Sequence, residues 1–387
     1  MTLSVCDEPP NRVPWNLPTC VRLCQLWGDA SIQEKEYRFR TDGDLSRADG
    51  HPKAQRFAWG GANGTGSIDS SLLLNTSDSP GQVPDTMTSG MPHICVCACT
   101  YKRPDLVKRL LKELADQETD GLFTYSIVVV DNDKIQSAKA VVTDIASGSP
   151  IPIKYYVEPR QNISMARNRA IENAECDFVA FIDDDEFPAR RWLLTLFEAL
   201  HKYQVDGVLG PVKPYFDVEP PRWVLQSRLY DRPTYATGLV IDWRKGRTGN
   251  VLLRRQIFTA GEQHFAPEFL TGEDQDFFRR MIDKGHVFIW CNEALAYEIE
   301  PPIRWKRTYI LRRALLRGKI SIVHPTFGFR EIAESLVAVP AYIVVLPFAL
   351  VLGHGKFMRW LVKLFDHIGR LLALLGINPV GESYSSE

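Results

Sequence analysis

Residues 178–188 read FVAFIDDDEFP: five apolar residues run straight into four consecutive carboxylates, Asp183, Asp184, Asp185 and Glu186. A short unbroken apolar run is what a strand buried on both faces requires. The acids behind it carry a cost. On an extended chain Asp183 and Asp185 would lie roughly 6–7 Å apart, and at an effective dielectric of about 20 they would repel by ~2–3 kcal/mol. A positive partner is expected to offset that, and a divalent cation is the obvious candidate.

Upstream, the same kind of run recurs. ICVCAC (94–99), SIVVV (126–130) and IKYYV (153–157) read as three more buried strands. Between them lie helical stretches. Pro104 stands where proline opens a helix, with Leu106, Val107, Leu110, Leu111 and Leu114 as its apolar stripe. A weaker helix covers about 135–147, and Ser164 is expected to cap a third through about Ala174. Strands alternating with helices imply an α/β fold, a mostly parallel sheet covered on both faces. Downstream, 189–203 reads as an amphipathic helix. VDGVLGPV, GLVIDW and HVFIW (286–290) read as strands, and TGNVLL (248–253) as a turn into an apolar run. GEDQDFFRRMIDKG (272–285) reads as a helix with Glu273 and Asp274 in its first turn.

In such a sheet, ligands bind beyond the carboxyl ends of the strands. Those tips carry Thr100-Tyr101-Lys102-Arg103, Asp131-Asn132-Asp133, Glu158-Pro159-Arg160-Gln161-Asn162 and the acids at 183–185. Polar groups therefore converge on one edge.

The chain has 387 residues and a formal net charge of -1, so nothing draws it as a whole to nucleic acid. Cys95, Cys97 and Cys99 alternate on the first strand, which puts their sulfurs on one face. A metal site there would need a fourth ligand; small buried hydrophobes in a reducing compartment are the simpler reading. Residues 1–90 are rich in Gly, Pro, Ser and Asp and read as a flexible low-complexity extension. GGANGTG (60–66) follows no strand and lacks the Lys-Ser/Thr ending of a phosphate loop. Met91, just before the first strand, is expected to mark the start of the working protein. No charged segment followed by an apolar one opens the chain, so no secretory leader is expected.

In order, ACTYKRPDLVKRLL, VVVDND, EPRQNISMARNRAIENA, DFVAFIDDDEFP, TGNVLLRR, TGEDQDFFRR and YEIEPPIRW resemble the motifs of the family-two inverting glycosyltransferases of GT-A fold. The resemblance is to bacterial enzymes of succinoglycan and exopolysaccharide biosynthesis. It spans about 93–320, and implies a transferase domain at 91–300. It also implies roles. Asp185 would be the metal ligand and Asp183 a contact to the ion or the donor ribose, the cofactor being Mn²⁺ or Mg²⁺. Thr100, Arg103, Asp131 and Arg167 would bind a nucleotide-sugar donor, a UDP-sugar by expectation, with Arg160 near the diphosphate. Asp184 would point away on an extended chain. Asp274 would be the base that deprotonates the acceptor, with Glu273 as the alternative. Gly249 and Asn250 would line the acceptor cleft. Processive relatives carry Gln-x-x-Arg-Trp; here Pro301 replaces the Gln before Arg304-Trp305, which argues for addition of a single sugar. Glu298 is a further candidate to reach the metal.

From 304 to 330 the chain is basic and lacks Asp and Glu, and 335–353 is uncharged, roughly 28 Å if helical. Pro340 and Pro347 are expected to interrupt it, and the Lys356–Phe365 stretch resembles an interfacial amphipathic helix. Residues 301–387 are thus expected to attach the protein to the cytoplasmic face of a bacterial inner membrane, as a peripheral, re-entrant or single-pass segment, near a lipid-linked saccharide acceptor. Two other functions fit parts of the pattern. A sugar nucleotidyltransferase would need a Gly-rich loop after the first strand, where CTYKRPD has no glycine. A non-catalytic binder of nucleotides or glycans at the membrane would not depend on Asp274.

Overall fold

The computed structural model describes residues 90–259, 264–269, 272–323, 327–378 and 380. The glycine stretch at 60–66 and the proposed start at Met91 concern a boundary whose upstream side lies outside the described residues.

The strands are β1 (His93–Thr100), β2 (Thr124–Asp131), β3 (Ile153–Val157), β4 (Phe178–Ile182), β5 (Glu186–Pro188), β6 (Gly207–Leu209), β7 (Val212–Tyr215), β8 (Asn250–Arg254), β9 (Phe288–Trp290) and β10 (Ala296–Ile299). The helices are α1 (Pro104–Leu114), α2 (Lys139–Gly148), α3 (Ile163–Glu172), α4 (Trp192–Tyr203), α5 (Arg222–Ser227), α6 (Glu273–Asp283), α7 (Arg307–Ser321), α8 (Phe329–Val351) and α9 (His354–Leu374). The main sheet runs β3-β2-β1-β4-β8-β6-β9, and a small sheet runs β5-β10-β7. β1 is parallel to both β2 and β4, and β2 to β3, while β8 is antiparallel to β4 and β6.

Both faces of the sheet are covered, which explains the unbroken apolar runs. Alternate residues serve opposite layers. Ile94, Val96 and Ala98 of β1 pack with Leu110, Leu111 and Leu114 of α1 and with Trp192 and Leu196 of α4. Cys95 and Cys97 pack with Ala166 and Ala170 of α3 and with Phe277 and Phe278 of α6. The β4 run divides the same way, Phe178, Ala180 and Ile182 to the first layer, Val179 and Phe181 to the second. The cysteines are thus small core residues, and among the described residues no group of three or more His, Cys, Asp or Glu could hold a metal by itself.

Three local expectations are corrected. Asn162, not Ser164, caps α3: its side chain accepts from Met165 N at 3.1 Å, while the Ser164 hydroxyl is buried without a partner. The stretch GLVIDW yields one isolated bridge, Val240 to Ile289, and a 3-10 turn at Trp243–Lys245. Pro340 and Pro347 do not interrupt α8, which runs through both.

α8 is the one helix among the described residues long and apolar enough to cross a membrane. Ser335, Ala338 and Ala349 are buried, whereas Val337, Val344, Phe348 and Val351 are exposed. Ser335 Oγ meets His367 Nδ1 of α9 at 3.1 Å, and Arg370 Nη1 donates to the same oxygen at 3.0 Å. α9 is no free interfacial helix either. Arg359 Nε donates to Ser227 O of α5 at 2.7 Å, and Arg317 of α7 pairs with Asp366 at 3.0 Å. α7 and α9 cross so closely at Gly318 that a Cβ there would sit 2.0 Å from Asp366 O.

Candidate active site

The acids after β4 do not continue the strand. Asp183 O accepts from Glu186 N at 3.1 Å, closing a tight turn. That turn breaks the alternation of an extended chain, and Asp184 therefore turns inward instead of away. Thr100 Oγ1 donates to Asp184 Oδ2 at 2.8 Å, and Arg103 Nη1 donates to Oδ1 at 3.0 Å. Strand register makes this possible: Cys97 pairs with Phe181, so the residue three beyond each, Thr100 and Asp184, meet at the tip. Burial pushes the Asp184 carboxyl up to about 6, against the pull of Arg103. Thr100 and Arg103 are thus brought to the acidic turn, and their polar atoms are engaged there.

Asp185 is held from two sides. Arg304 Nη2 donates to its Oδ2 at 2.7 Å, and Arg103 Nη1 reaches the same oxygen at 3.4 Å. Arg304 also donates from Nη1 to Glu298 at 3.1 Å and to Glu300 at 3.4 Å. Glu298 therefore pairs with Arg304 and Arg232, not with the acidic turn. Burial, then the neighbouring Glu298, lifts the Glu300 carboxyl to about 8. Arg232 also approaches Glu186 at 3.6 Å. Glu186 is buried with its Oε1 lacking a hydrogen bond, and burial followed by the charge of Asp183 holds its pKa well above the usual carboxylate range. Arg232 has no local signal and is recognisable only once the chain is folded; Glu186 and Glu300 lie within quoted motifs, but their partners do not show in the sequence.

Arg167 joins the two acidic motifs. From α3 its Nη1 donates to Glu273, and its Nη2 lies 3.5 Å from Asp183 Oδ1. Its side chain is 8% exposed, so this cation is committed to the site and does not lie on the surface. Glu273 and Asp274 head α6 because Gly272 adopts φ +84 before the helix begins. Asp274 is half-buried and takes Gln275 N at 2.7 Å. Burial, then the charge of Glu273, raises its carboxyl to about 6. Asp183, Glu273 and Asp274 thus share one corner of the molecule.

The remaining expected residues lie differently. Asp131 is fully buried: its Oδ1 accepts from Asp133 N at 3.1 Å, and its Oδ2 from Ala138 N at 2.9 Å and Tyr155 Oη at 2.8 Å. It fastens the loop between β2 and α2, and the register sets it beside Thr100 at the tip of β1. Arg160 folds back on Glu158 at 3.1 Å and is 70% exposed. Asn250 does not line a cleft. Its Oδ1 accepts from Trp192 Nε1 at 2.7 Å, and its Nδ2 donates to Pro211 O at 3.0 Å and Ala294 O at 2.8 Å. An amide with three buried partners is a staple between elements. Gly249 packs directly behind the acids, where a Cβ would sit 2.7 Å from Glu186 Oε1 and 3.1 Å from Asp183 Oδ2.

A hard divalent cation of the Mg²⁺ type is held through one or two carboxylates plus substrate phosphates. The donor set fits that. Among the described residues, Asp183 Oδ2 and Asp185 Oδ1 take no hydrogen bond from the protein, and the Asp183 side chain is 44% exposed. Carboxylate oxygens next to an open edge suit such an ion.

Comparison with known proteins identifies the family. Residues 95–259 match the family model described as glycosyl transferase family 2. Succinoglycan biosynthesis protein ExoM of Rhizobium meliloti (strain 1021) is 30% identical over 307 residues, which cover 76% of this chain and 96% of that protein. Hyaluronan synthase of Pasteurella multocida is 24% identical over 245 residues, 54% of this chain but 25% of that longer protein. Among solved structures, the mannosyltransferase PcManGT from Pyrobaculum calidifontis, in complex with GDP-Man and Mn²⁺, is 19% identical and covers 75% of this chain and 89% of its own, with a TM-score of 0.49. The doubly covered sheet with its acidic turn is the GT-A fold, and the chain belongs to glycosyl transferase family 2.

Proposed function

We propose that the protein is an inverting, metal-dependent transferase that moves one hexose from a nucleotide sugar, a UDP-sugar by preference, to a lipid-linked saccharide in bacterial exopolysaccharide assembly. The observation that carries this is Arg167, which ties the acidic turn after β4 to the acid pair heading α6. An inverting transfer needs those two groups in one place. Asp274 takes the proton of the acceptor hydroxyl. The hydroxyl oxygen then bonds to the anomeric carbon while the bond from that carbon to the nucleotide's diphosphate breaks on the opposite face. Asp183 and Asp185 would hold Mn²⁺ or Mg²⁺, which stabilises the charge developing on the departing phosphate. Arg103 and Arg304 keep Asp185 in place, and Arg167 does the same for Asp183.

Relatives support the substrate class. The matched protein from R. meliloti is named for succinoglycan biosynthesis. Another, from Campylobacter jejuni, is a glucosyltransferase named for an undecaprenol-diphosphate-linked acceptor and is 28% identical over 98 residues. The residues 91–300 form the transferase domain in this reading, and 1–90 are dispensable for turnover.

The C-terminal helices support attachment at the cytoplasmic membrane face. Between 304 and 378 the chain carries twelve Arg and Lys against three acids, which favours an anionic surface. α8 lies on that surface and does not cross it. It packs along α9, so crossing would carry Arg359, Lys363, Asp366 and Arg370 into hydrocarbon, at about 2.5–3.5 kcal/mol for each charge.

The direct test is a panel of nucleotide sugars incubated with the protein and Mn²⁺, followed by assay for released nucleoside diphosphate. Metal-dependent release from one donor is expected; release of pyrophosphate from a nucleoside triphosphate and a sugar phosphate would instead reveal a nucleotidyltransferase.

A further inference from the structure

Among the described residues, the arginines around the acidic turn are committed to carboxylates. Arg103 holds Asp184, Arg167 holds Glu273, Arg232 holds Glu298 and Arg304 holds Asp185. Arg247 is different. It makes no hydrogen bond and no ion pair with any described residue, although Asp274 is near enough to attract it.

Its backbone is fixed on both sides. At Gly246 a Cβ would sit 2.3 Å from Phe278 Cδ2 of α6, and at Gly249 one would meet Glu186 and Asp183. Arg247 therefore stands on a short bridge between α6, whose first turn bears Asp274, and the acidic turn. Gly246 and Thr248 beside it are buried, while Arg247 is exposed. The residue reaches the surface, yet its charge is crowded: desolvation is the largest influence on it, and the like charge of Arg232 is the next. Arg247, without an ion pair among the described residues and within the field of Arg232, adds positive charge beside an otherwise acidic site. The planar fork of guanidinium donors matches phosphate oxygens, and an anion there relieves the repulsion between the two cations.

We infer that Arg247, on the bridge between α6 and the acidic turn, is a phosphate-binding residue that grips the diphosphate of a bound substrate. This rests on the transferase reading only for which substrate brings the phosphate: the nucleotide donor, or an acceptor joined to its lipid through diphosphate. Arg247 is a binding residue here, and takes no part in moving the proton.

The experiment is calorimetric titration of the full-length protein with inorganic pyrophosphate, and with UDP plus Mn²⁺. It compares wild type, Arg247→Gln and Arg247→Lys, with thermal unfolding to show that all three are folded. Pyrophosphate is expected to bind wild type, to bind Arg247→Gln about tenfold or more weakly, and to recover in part with Arg247→Lys. If UDP competes with pyrophosphate and weakens in the same ratio, the phosphate is the donor's. If pyrophosphate still binds beside saturating UDP and it alone weakens, the phosphate is the acceptor's. Affinities equal within about twofold in wild type and Arg247→Gln, or no pyrophosphate binding by wild type, overturn the inference. Binding through Arg247 by a protein that consumes no nucleotide sugar would overturn the transferase reading and leave this one standing.

Discussion

Arg167 and Glu273 form a buried ion pair across 106 residues of sequence, and the same guanidinium lies 3.5 Å from Asp183. Removing one partner of such a pair leaves the other charged and desolvated, which costs about 3–5 kcal/mol. Arg167→Met is expected to lose stability on that scale in denaturant titration, and to lose turnover with it. The double variant Arg167→Met/Glu273→Gln recovers much of the stability and none of the turnover. A single variant within about 1 kcal/mol of wild type would show that the pair is not the clamp described here.

The raised carboxyl of Asp274 sets a pH dependence. As a base it works ionised, so kcat/KM should rise with pH through about 6 and level off above it. Stability runs the other way. Burial favours the protonated forms of Asp184 and Asp274, both at about 6, above their usual 3.8. The folded state therefore binds more protons than the unfolded chain between those values, and these two groups lose stabilising effect as pH rises across that window. Rate profiles and unfolding measured over pH 4–8 on one preparation test both signs.

Asn250 gives a way to separate staple from ligand. Asn250→Ala strips partners from Trp192 Nε1 and two buried carbonyls, at about 1–3 kcal/mol for each group left unpaired. A clear drop in unfolding midpoint with unchanged acceptor KM is expected. Unchanged stability with a raised acceptor KM would return Asn250 to the cleft.

α8 predicts a surface-bound protein. Alkaline carbonate should release the full-length chain from membranes, and vesicles rich in anionic lipid should bind it in a salt-sensitive way. Val337→Glu/Val344→Glu, on the exposed face, should abolish vesicle binding while turnover on a soluble acceptor persists. Retention in the carbonate pellet would indicate a span.

Much of this fold is legible in the sequence for one reason: strands buried on both faces must be apolar throughout. FVAFI accordingly matches β4 to the residue with all five side chains buried, whereas IKYYV gives the bounds of β3 but, at the sheet edge, leaves Lys154 exposed and the rest only half-buried. The failures share a cause as well. Strand alternation points Asp184 away from the site, and a four-residue turn cancels that alternation. GLVIDW has strand composition, but its hydrogen bonds to β9 amount to one isolated bridge, Val240 to Ile289, and no continuous strand. Asn250 lies in a glycine turn that looks like a cleft wall, and only the folded core supplies its three partners. Arg304 was visible as part of a motif, but its bond to Asp185 joins residues 119 apart, a pairing no local pattern encodes.

The account's central claim is that Asp274 activates the acceptor opposite a donor held at the turn of Asp183 and Asp185. The most direct test pairs two measurements on Asp274→Asn, with Asp185→Asn as the contrast: calorimetric binding of UDP in Mn²⁺, and turnover with the donor found by screening. Asp274→Asn should bind UDP as wild type does while turnover falls by about 10²–10⁴, and Asp185→Asn should lose the Mn²⁺-dependent part of binding. Turnover by Asp274→Asn within a few-fold of wild type would contradict the claim.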